Sequence, residues 1–267
     1  KYDISANLST LRNRVTSLGF GTESYITGAY ATYVGKEIGK FYGWVYEGIA
    51  RTQSDLDNHA TQQGANVGDC LYKDISGPNG EPDGVIDAYD QTVLGSGLAK
   101  MNFGLSAHME YKGFDLSIST YGALNYHVAD DIYNSLNSCY GWGNKDVAMA
   151  NANRFSEDGS TYLSNVPRTY VDNKGALAWN DLFSSRKIQN AAYWKIANVE
   201  LGYNFPDRWF KGLVTGVRAY VSAQNLYTFT GYKGYNVDYA GGTFTPGYNF
   251  CSFPSARSFM AGLHFTF

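Results

Sequence analysis

The chain has 267 residues, a formal net charge of -3 and 16% aromatic residues, with 23 Tyr, 15 Phe, 5 Trp and 30 Gly. The charge balance excludes the basic footprint of a nucleic-acid binder. No run of residues approaches the ~20 apolar residues of a membrane helix, and the mean hydropathy is -0.32. Hydropathy does not exclude a membrane β-barrel, which hides its apolar face in alternation. Tyr and Trp favour membrane interfaces, where one end of the ring is apolar and the other wet. A soluble, Tyr-rich β-sandwich fits the same composition. Cys70, Cys139 and Cys251 are far apart and odd in number. They form neither a metal spacing nor a complete disulfide framework, and both a Cys139–Cys251 bridge and free thiols stay open.

Alternation of apolar and polar residues marks the strands. It begins at once, with Tyr2, Ile4, Ala6 and Leu8 on one face. An opening inside a strand, without initiator Met or signal peptide, reads as a piece of a longer precursor. In residues 40–48, Tyr42, Trp44 and Tyr46 alternate. They suit one face of a strand or a membrane girdle, or rings that stack on sugars. Residues 100–111 set Met101, Phe103, Leu105, Ala107, Met109 and Tyr111 against Asn102, Ser106, His108 and Glu110. Residues 113–122 follow after a tight turn, with Phe114, Leu116 and Ile118 on the apolar side. Residues 193–206 fit less cleanly, with Ala197, Val199, Leu201 and Tyr203 on one face. Residues 216–225 set Val217, Ala219, Val221 and Ala223 against Arg218, Tyr220, Ser222 and Gln224. The final strand, 256–267, places Phe259, Ala261, Leu263, Phe265 and Phe267 together.

These strands match the ~9–11 residues of a tilted membrane strand. The stretches 51–98, 125–190 and 228–254 read as long polar loops. Soluble sandwiches rarely tolerate such loops, whereas outer-membrane barrels carry them on the extracellular side, opposite short periplasmic turns. An aromatic last residue, Phe267, suits the terminal strand by which such barrels are recognised for assembly.

The segment 68–95 is acidic and turn-rich, and its core DGVIDAYD (83–90) matches the second half of an EF-hand-like loop. Asp83 is a candidate ligand, Val85 a carbonyl donor, Ile86 the core anchor and Asp90 the closing carboxylate. Upstream, Asp74, Ser76 and Asn79 complete an oxygen shell for Ca²⁺, or alternatively Mg²⁺. The spacing departs from a regular loop, because GPNGEP separates the two halves and position 12 is Asp rather than Glu. A solvated acidic turn is the competing reading.

Enzyme signatures are absent: there is no H-E-x-x-H, G-x-S-x-G or Walker loop. His59, His108, His127 and His264 are dispersed, and Asp130 and Asp131 sit in a polar loop. Tyr140, Trp142, Trp179 and Tyr248 are candidate substrate contacts, on loop position and aromatic chemistry alone.

Four stretches together resemble the C-terminal part of SusC/RagA-like, TonB-linked outer-membrane proteins of Bacteroidetes. They are GKEIGKFYGWVYEGIART (35–52), the acidic block with the two strands after it (68–122), NAAYWKIANVELGYNFP (190–206), and VRAYVSAQNLYTFTGYKGYNVD (217–238) followed by FPSARSFMAGLHFTF (253–267). The resemblance implies an all-β fold, an antiparallel transmembrane barrel of about 22 strands with a plug in its lumen. Residues 1–267 would be its C-terminal strands, with signal peptide, plug and earlier strands upstream. It implies TonB-dependent import of an oligosaccharide or peptide across the outer membrane of a Gram-negative bacterium. TonB would contact the plug rather than this chain, and a SusD-like lipoprotein would cap the mouth. A passive porin or adhesin barrel is the alternative, followed by a soluble, calcium-containing carbohydrate-binding protein.

Overall fold

The computed structural model describes residues 1–138, 144–150, 161–169, 179–210, 214–238 and 241–267. Six long strands dominate it: β1 (Tyr2–Thr10), β2 (Met101–Tyr111), β3 (Phe114–Leu124), β4 (Tyr193–Phe205), β5 (Gly216–Thr230) and β6 (Ser258–Thr266). They form one sheet in chain order, and every neighbouring pair is antiparallel. The sheet is open. Among the described residues β1 pairs only with β2, and β6 only with β5, so each leaves a nine-residue edge without a described partner.

The connections are sharply unequal at the two ends. At one end, β2 turns into β3 through Lys112 and Gly113, and β4 reaches β5 through residues 206–215. Lys112 has φ 47° and Gly113 φ 87°. Two consecutive positive φ values make the primed two-residue turn whose twist matches that of the flanking strands. A side chain at Gly113 would also stand 2.9 Å from the Asn204 carbonyl oxygen, so only glycine fits there. At the other end lie the connections 11–100, 125–192 and 231–257.

The long connections are not structureless, as their composition suggests. Ser24–Thr27, Tyr30–Tyr33, Lys40–Gly43 and Thr92–Ser96 form a four-stranded sheet, and Tyr46–Ile49 pairs with Cys70–Tyr72. His127–Asp130 lies between Gln189–Asn190 and Tyr248–Asn249, pairing in parallel with the latter. The hydrophobic clusters sit in this layer. One gathers Ala123, Tyr126, Val128, Ala191, Tyr232 and Val237, and a second gathers Cys70, Tyr72, Ile86 and Trp179. A third joins Tyr30, Phe41 and Ala129. The compact part of the molecule is therefore the loop layer, and the long strands project from it.

The irregular alternation of 193–206 has a structural cause. Ile196 faces Thr120, while Asn198 faces Ser119, so Ala197 is an extra residue against β3. Opposite it, β5 bulges as well, with Asn225 at φ 51°. A bulge shifts the period by one residue. Trp194 and Ile196 thus join the face of Val199 and Leu201, which corrects the grouping of Ala197 with that face. The Asn225 side chain holds the bulge by donating to the Ala256 carbonyl at 2.8 Å.

Replacing Gly113 by Ala should destabilise the folded sheet by ~1–2 kcal/mol, the cost of a side chain in left-handed backbone. The fraction folded across a urea series reports it, and Lys112→Asn should show no such loss.

Candidate functional site

The registers sort the two faces of the long sheet without ambiguity. Tyr2, Ile4, Ala6 and Leu8 face Met109, Ala107, Leu105 and Phe103. The same rows continue through Leu116 and Ile118 of β3, Leu201 and Val199 of β4, Val221 and Ala223 of β5, and Ala261 and Phe259 of β6. Nothing among the described residues covers this face: Ile4 is 64% exposed, Leu8 65%, Leu263 64% and Phe259 71%. A continuous apolar surface of this kind marks a partner or a membrane rather than a solvated face.

Aromatic rings bound the apolar face at both ends. Near the long connections, Trp194 stacks on Phe229 at 5.2 Å, and Tyr227 meets Phe229 at 4.7 Å. At the short-turn end, Phe114 packs on Tyr203 at 4.6 Å, and the rings continue through Phe205 to Trp209. Trp194 and Tyr203 are nine residues apart on β4. At ~3.3 Å per residue and a tilt of ~40° their separation across the band is ~23 Å. That agrees with the apolar band of ~25 Å in outer-membrane barrels.

The opposite face is polar and cross-linked. Arg218 of β5 donates to Asp115 of β3 through Nε at 3.0 Å and through Nη2, and Nη2 also reaches Glu200 of β4 at 2.7 Å. Asn204 donates to Asp115 at 3.0 Å. Gly202 lies beneath this group, and a Cβ there would come within 2.4 Å of Nη2. His108 bonds Ser117 at 2.9 Å and Glu110 at 3.3 Å. The sequence assigns each of these side chains to the polar face; only the cross-strand register reveals that they meet.

Carboxylates pin the loop layer over this face. Asp238 accepts from Lys195 at 2.5 Å, Tyr121 at 3.0 Å and Tyr193 at 3.1 Å. Asp130 accepts from Tyr232 and, at 3.0 Å, from Asn249, and it caps the helix Asp131–Leu136 by accepting the Tyr133 N–H. Burial, and then the bond to Asp130, raises the Tyr232 phenol above its ordinary value, so it stays a donor. Asp69 holds Arg168 in the same manner, at 2.5 and 2.8 Å. Apart from the Asp130 cap, none of these pairings has a local sequence signal, because partners lie 43 to 119 positions apart.

The acidic segment folds on its own backbone. Asp90, expected to close a cation shell, is fully buried and accepts the N–H groups of Ile75, Ser76 and Asp87 at 2.7, 3.2 and 2.9 Å. Asp74 accepts from Gly84 at 2.7 Å, and its other oxygen is buried without a partner among the described residues. Asp83 accepts the Val85 N–H at 3.0 Å. Val85 bridges to Thr61, and Asn79 is exposed. Ile86 is buried as the anchor. Among the described residues no three His, Cys, Asp or Glu side chains converge as a metal set. Carboxylate–backbone bonds hold the loop's shape.

The aromatic candidates separate in the structure. Trp179, expected to face a substrate, is 3% exposed, packs on Tyr72 and donates to the Gln63 carbonyl at 2.9 Å. It is a core residue of the loop layer, and the partly buried Trp44 and Tyr46 pack against its cluster. An aromatic in a polar stretch is more cheaply buried than presented. Tyr248 is exposed and stacks on Phe250 at 6.5 Å. Tyr140, Trp142 and Cys139 lie outside the described residues. Cys70 is buried and Cys251 exposed.

No protein-family model matches the chain. A TonB-dependent receptor of Formosa agariphila is 29% identical over 280 residues, covering 98% of this chain and 26% of that receptor. The TonB-dependent receptor SusC of Bacteroides thetaiotaomicron is 26% identical over 280 residues, covering 100% of this chain and 24% of that receptor. The chain spans about a quarter of the length of the curated relatives it matches. A structure of the RagAB peptide transporter superposes with a TM-score of 0.75, covering 100% of this chain and 27% of that one at 22% identity. That likeness shows the fold.

Two outcomes follow from these faces. Leu105→Arg or Leu263→Arg should cost ~2–4 kcal/mol at mid-bilayer depth, while Ser106→Arg on the polar face should cost under ~1 kcal/mol; unfolding titrations of the reconstituted barrel compare them. Asp90→Ala should destabilise the folded barrel in the same assay by ~2–3 kcal/mol by orphaning buried N–H groups.

Proposed function

We propose that this chain, a barrel segment similar over its whole length to SusC- and RagA-like TonB-dependent receptors, forms part of the wall of an outer-membrane importer. The observation that carries the reading is the six-stranded sheet with one apolar face uncovered, one polar face and two edges unpaired among the described residues. In hydrocarbon every backbone polar group needs a partner, so an open edge cannot stand. Both edges are therefore seams to further strands of a closed barrel. The short turns lie on the periplasmic side, and the loop layer is the extracellular mouth.

The transported nutrient is an oligosaccharide or a peptide. A SusD-like surface lipoprotein covers the mouth, and a plug from elsewhere in the whole protein fills the lumen against the polar face. Work from the proton-motive force, relayed by TonB to the plug, opens the path. No bond of the nutrient is broken, and the relatives of this chain are receptors rather than enzymes. Within that scheme the Asp115–Arg218–Glu200 group and the Asp238 clasp keep wall and mouth rigid while the plug moves.

A strain lacking the gene for the whole receptor should lose growth on one polymeric nutrient while keeping growth on its monomer. Loss of TonB should produce the same defect. Growth that depends on the receptor but persists without TonB would favour a passive porin and sink the active reading.

A further inference from the structure

β5 outruns β6 at the mouth. Its last residue paired with β6 is Gln224, opposite Ser258, and residues 225–230 run on beyond it. The direction of the backbone groups in this overhang follows from the turn at the far end of the sheet. Tyr111 and Phe114 flank the two-residue turn, so they form a hydrogen-bonded pair, and alternate residues then bond to opposite neighbours. Carried through the registers, that alternation turns Tyr227 and Phe229 toward β4, and Thr228 and Thr230 away from it. The Asn204 N–H donates to the Gly113 carbonyl at 2.7 Å and the Ala191 N–H to the Tyr126 carbonyl at 3.1 Å, which keeps the same alternation on either side of the Ala197 bulge. Thr228 and Thr230 have no backbone hydrogen bond on their β6 side among the described residues. They stand level with the Trp194 and Phe229 rings, where the apolar band ends and water reaches the wall.

The overhang borders a cleft of about 340 Å³ that none of the preceding roles uses. Gly234, Asn236 and Ser255 line its other side, with Asn236 accepting from Ser255 at 3.4 Å. Arg257 stands at its rim, exposed and without an ion pair or hydrogen bond among the described residues. The other cation of the cleft, Lys195, is already held by Asp238 at 2.5 Å. An unpaired strand edge offers N–H and C=O groups in alternation, the pattern that a second extended main chain complements. A saccharide hydroxyl can bond either group, but a neutral saccharide brings no charge for Arg257. A peptide laid antiparallel to β5, as β6 is, would end at the start of β6, beside Arg257. Its terminal carboxylate would form a charge-assisted pair there. We infer that this cleft binds the C-terminal end of an extended peptide, its main chain added to β5 at Thr228 and Thr230 and its carboxylate on Arg257. The inference rests on the reading of the loop layer as the extracellular mouth, and of the two nutrient classes it selects the peptide.

Calorimetry of the detergent-solubilised whole receptor tests the site with tetra-alanine, its C-terminal amide, and tetra-alanine methylated singly at each peptide nitrogen. Tetra-alanine should bind, and amidation should weaken it about tenfold, the value of one charged hydrogen bond. Arg257→Gln should bring that ratio close to one, and Arg257→Lys should keep most of it. Arg257 is exposed, so neither change should disturb the fold. Methylation should weaken binding in alternation, because only every second N–H of an added strand faces β5. Maltotriose should bind more weakly than tetra-alanine. No tetra-alanine binding, equally tight maltotriose binding, an acid-to-amide ratio unchanged in R257Q, or equal losses at every methylated nitrogen would overturn the assignment. TonB-independent growth would sink the import reading and leave a positive peptide titration standing, so the two failures are distinct.

Discussion

An apolar surface that a chain cannot bury against itself must be covered by something else. The long sheet presents such a surface, row after row from Tyr2 and Met109 to Ala261 and Phe259. At ~25 cal/mol per Å² the exposure of these side chains to water would cost far more than the few kcal/mol by which domains are stable. Hydrocarbon removes that penalty without a protein partner. The other features follow from this solvent. Edges must be closed because lipid offers no hydrogen bonds, and rings gather where the apolar band ends. Polar chemistry is then confined to the other face and to the mouth.

The two faces also divide the work between rigidity and recognition. On the polar face, Arg218 ties three strands together through Asp115 and Glu200. Because the cluster is only partly shielded, its value lies in fixing side-chain geometry rather than in a large stabilisation. Above it, Asp238 and Asp130 fasten the connections to the wall. A mouth built this way keeps its loops in place without a core beneath the strands, and clefts between those loops are left with fixed walls.

What could be read in the sequence was what depends on period. The six strands, the short turn at Lys112–Gly113, the asymmetry of the connections and the face of Leu105 and Leu263 all follow from alternation and turn chemistry. The face of Trp194 and Ile196 did not, because one extra residue at Ala197 reverses the pattern midway. The small sheets of the loop layer were hidden by their length of two to five residues, too short to establish a period. Asp90 illustrates a different limit. Its place in an acidic run matches a cation ligand, yet three backbone N–H groups converge on it once the chain folds. Trp179 was misplaced for a related reason: polarity of a stretch says where the chain runs, not which of its side chains are covered.

The contact between the apolar face and lipid is open to direct measurement. A nitroxide label at Leu105→Cys and another at the neighbouring Ser106→Cys, in the whole receptor reconstituted in liposomes with Cys70, Cys139 and Cys251 replaced by Ser, report their surroundings by relaxation. The label at 105 should be readily relaxed by oxygen, which partitions into hydrocarbon, and hardly by a polar nickel chelate. Position 106 should show the reverse preference. Equal accessibility of the two positions to the nickel chelate, or shielding of position 105 from both agents, would contradict a membrane-facing sheet.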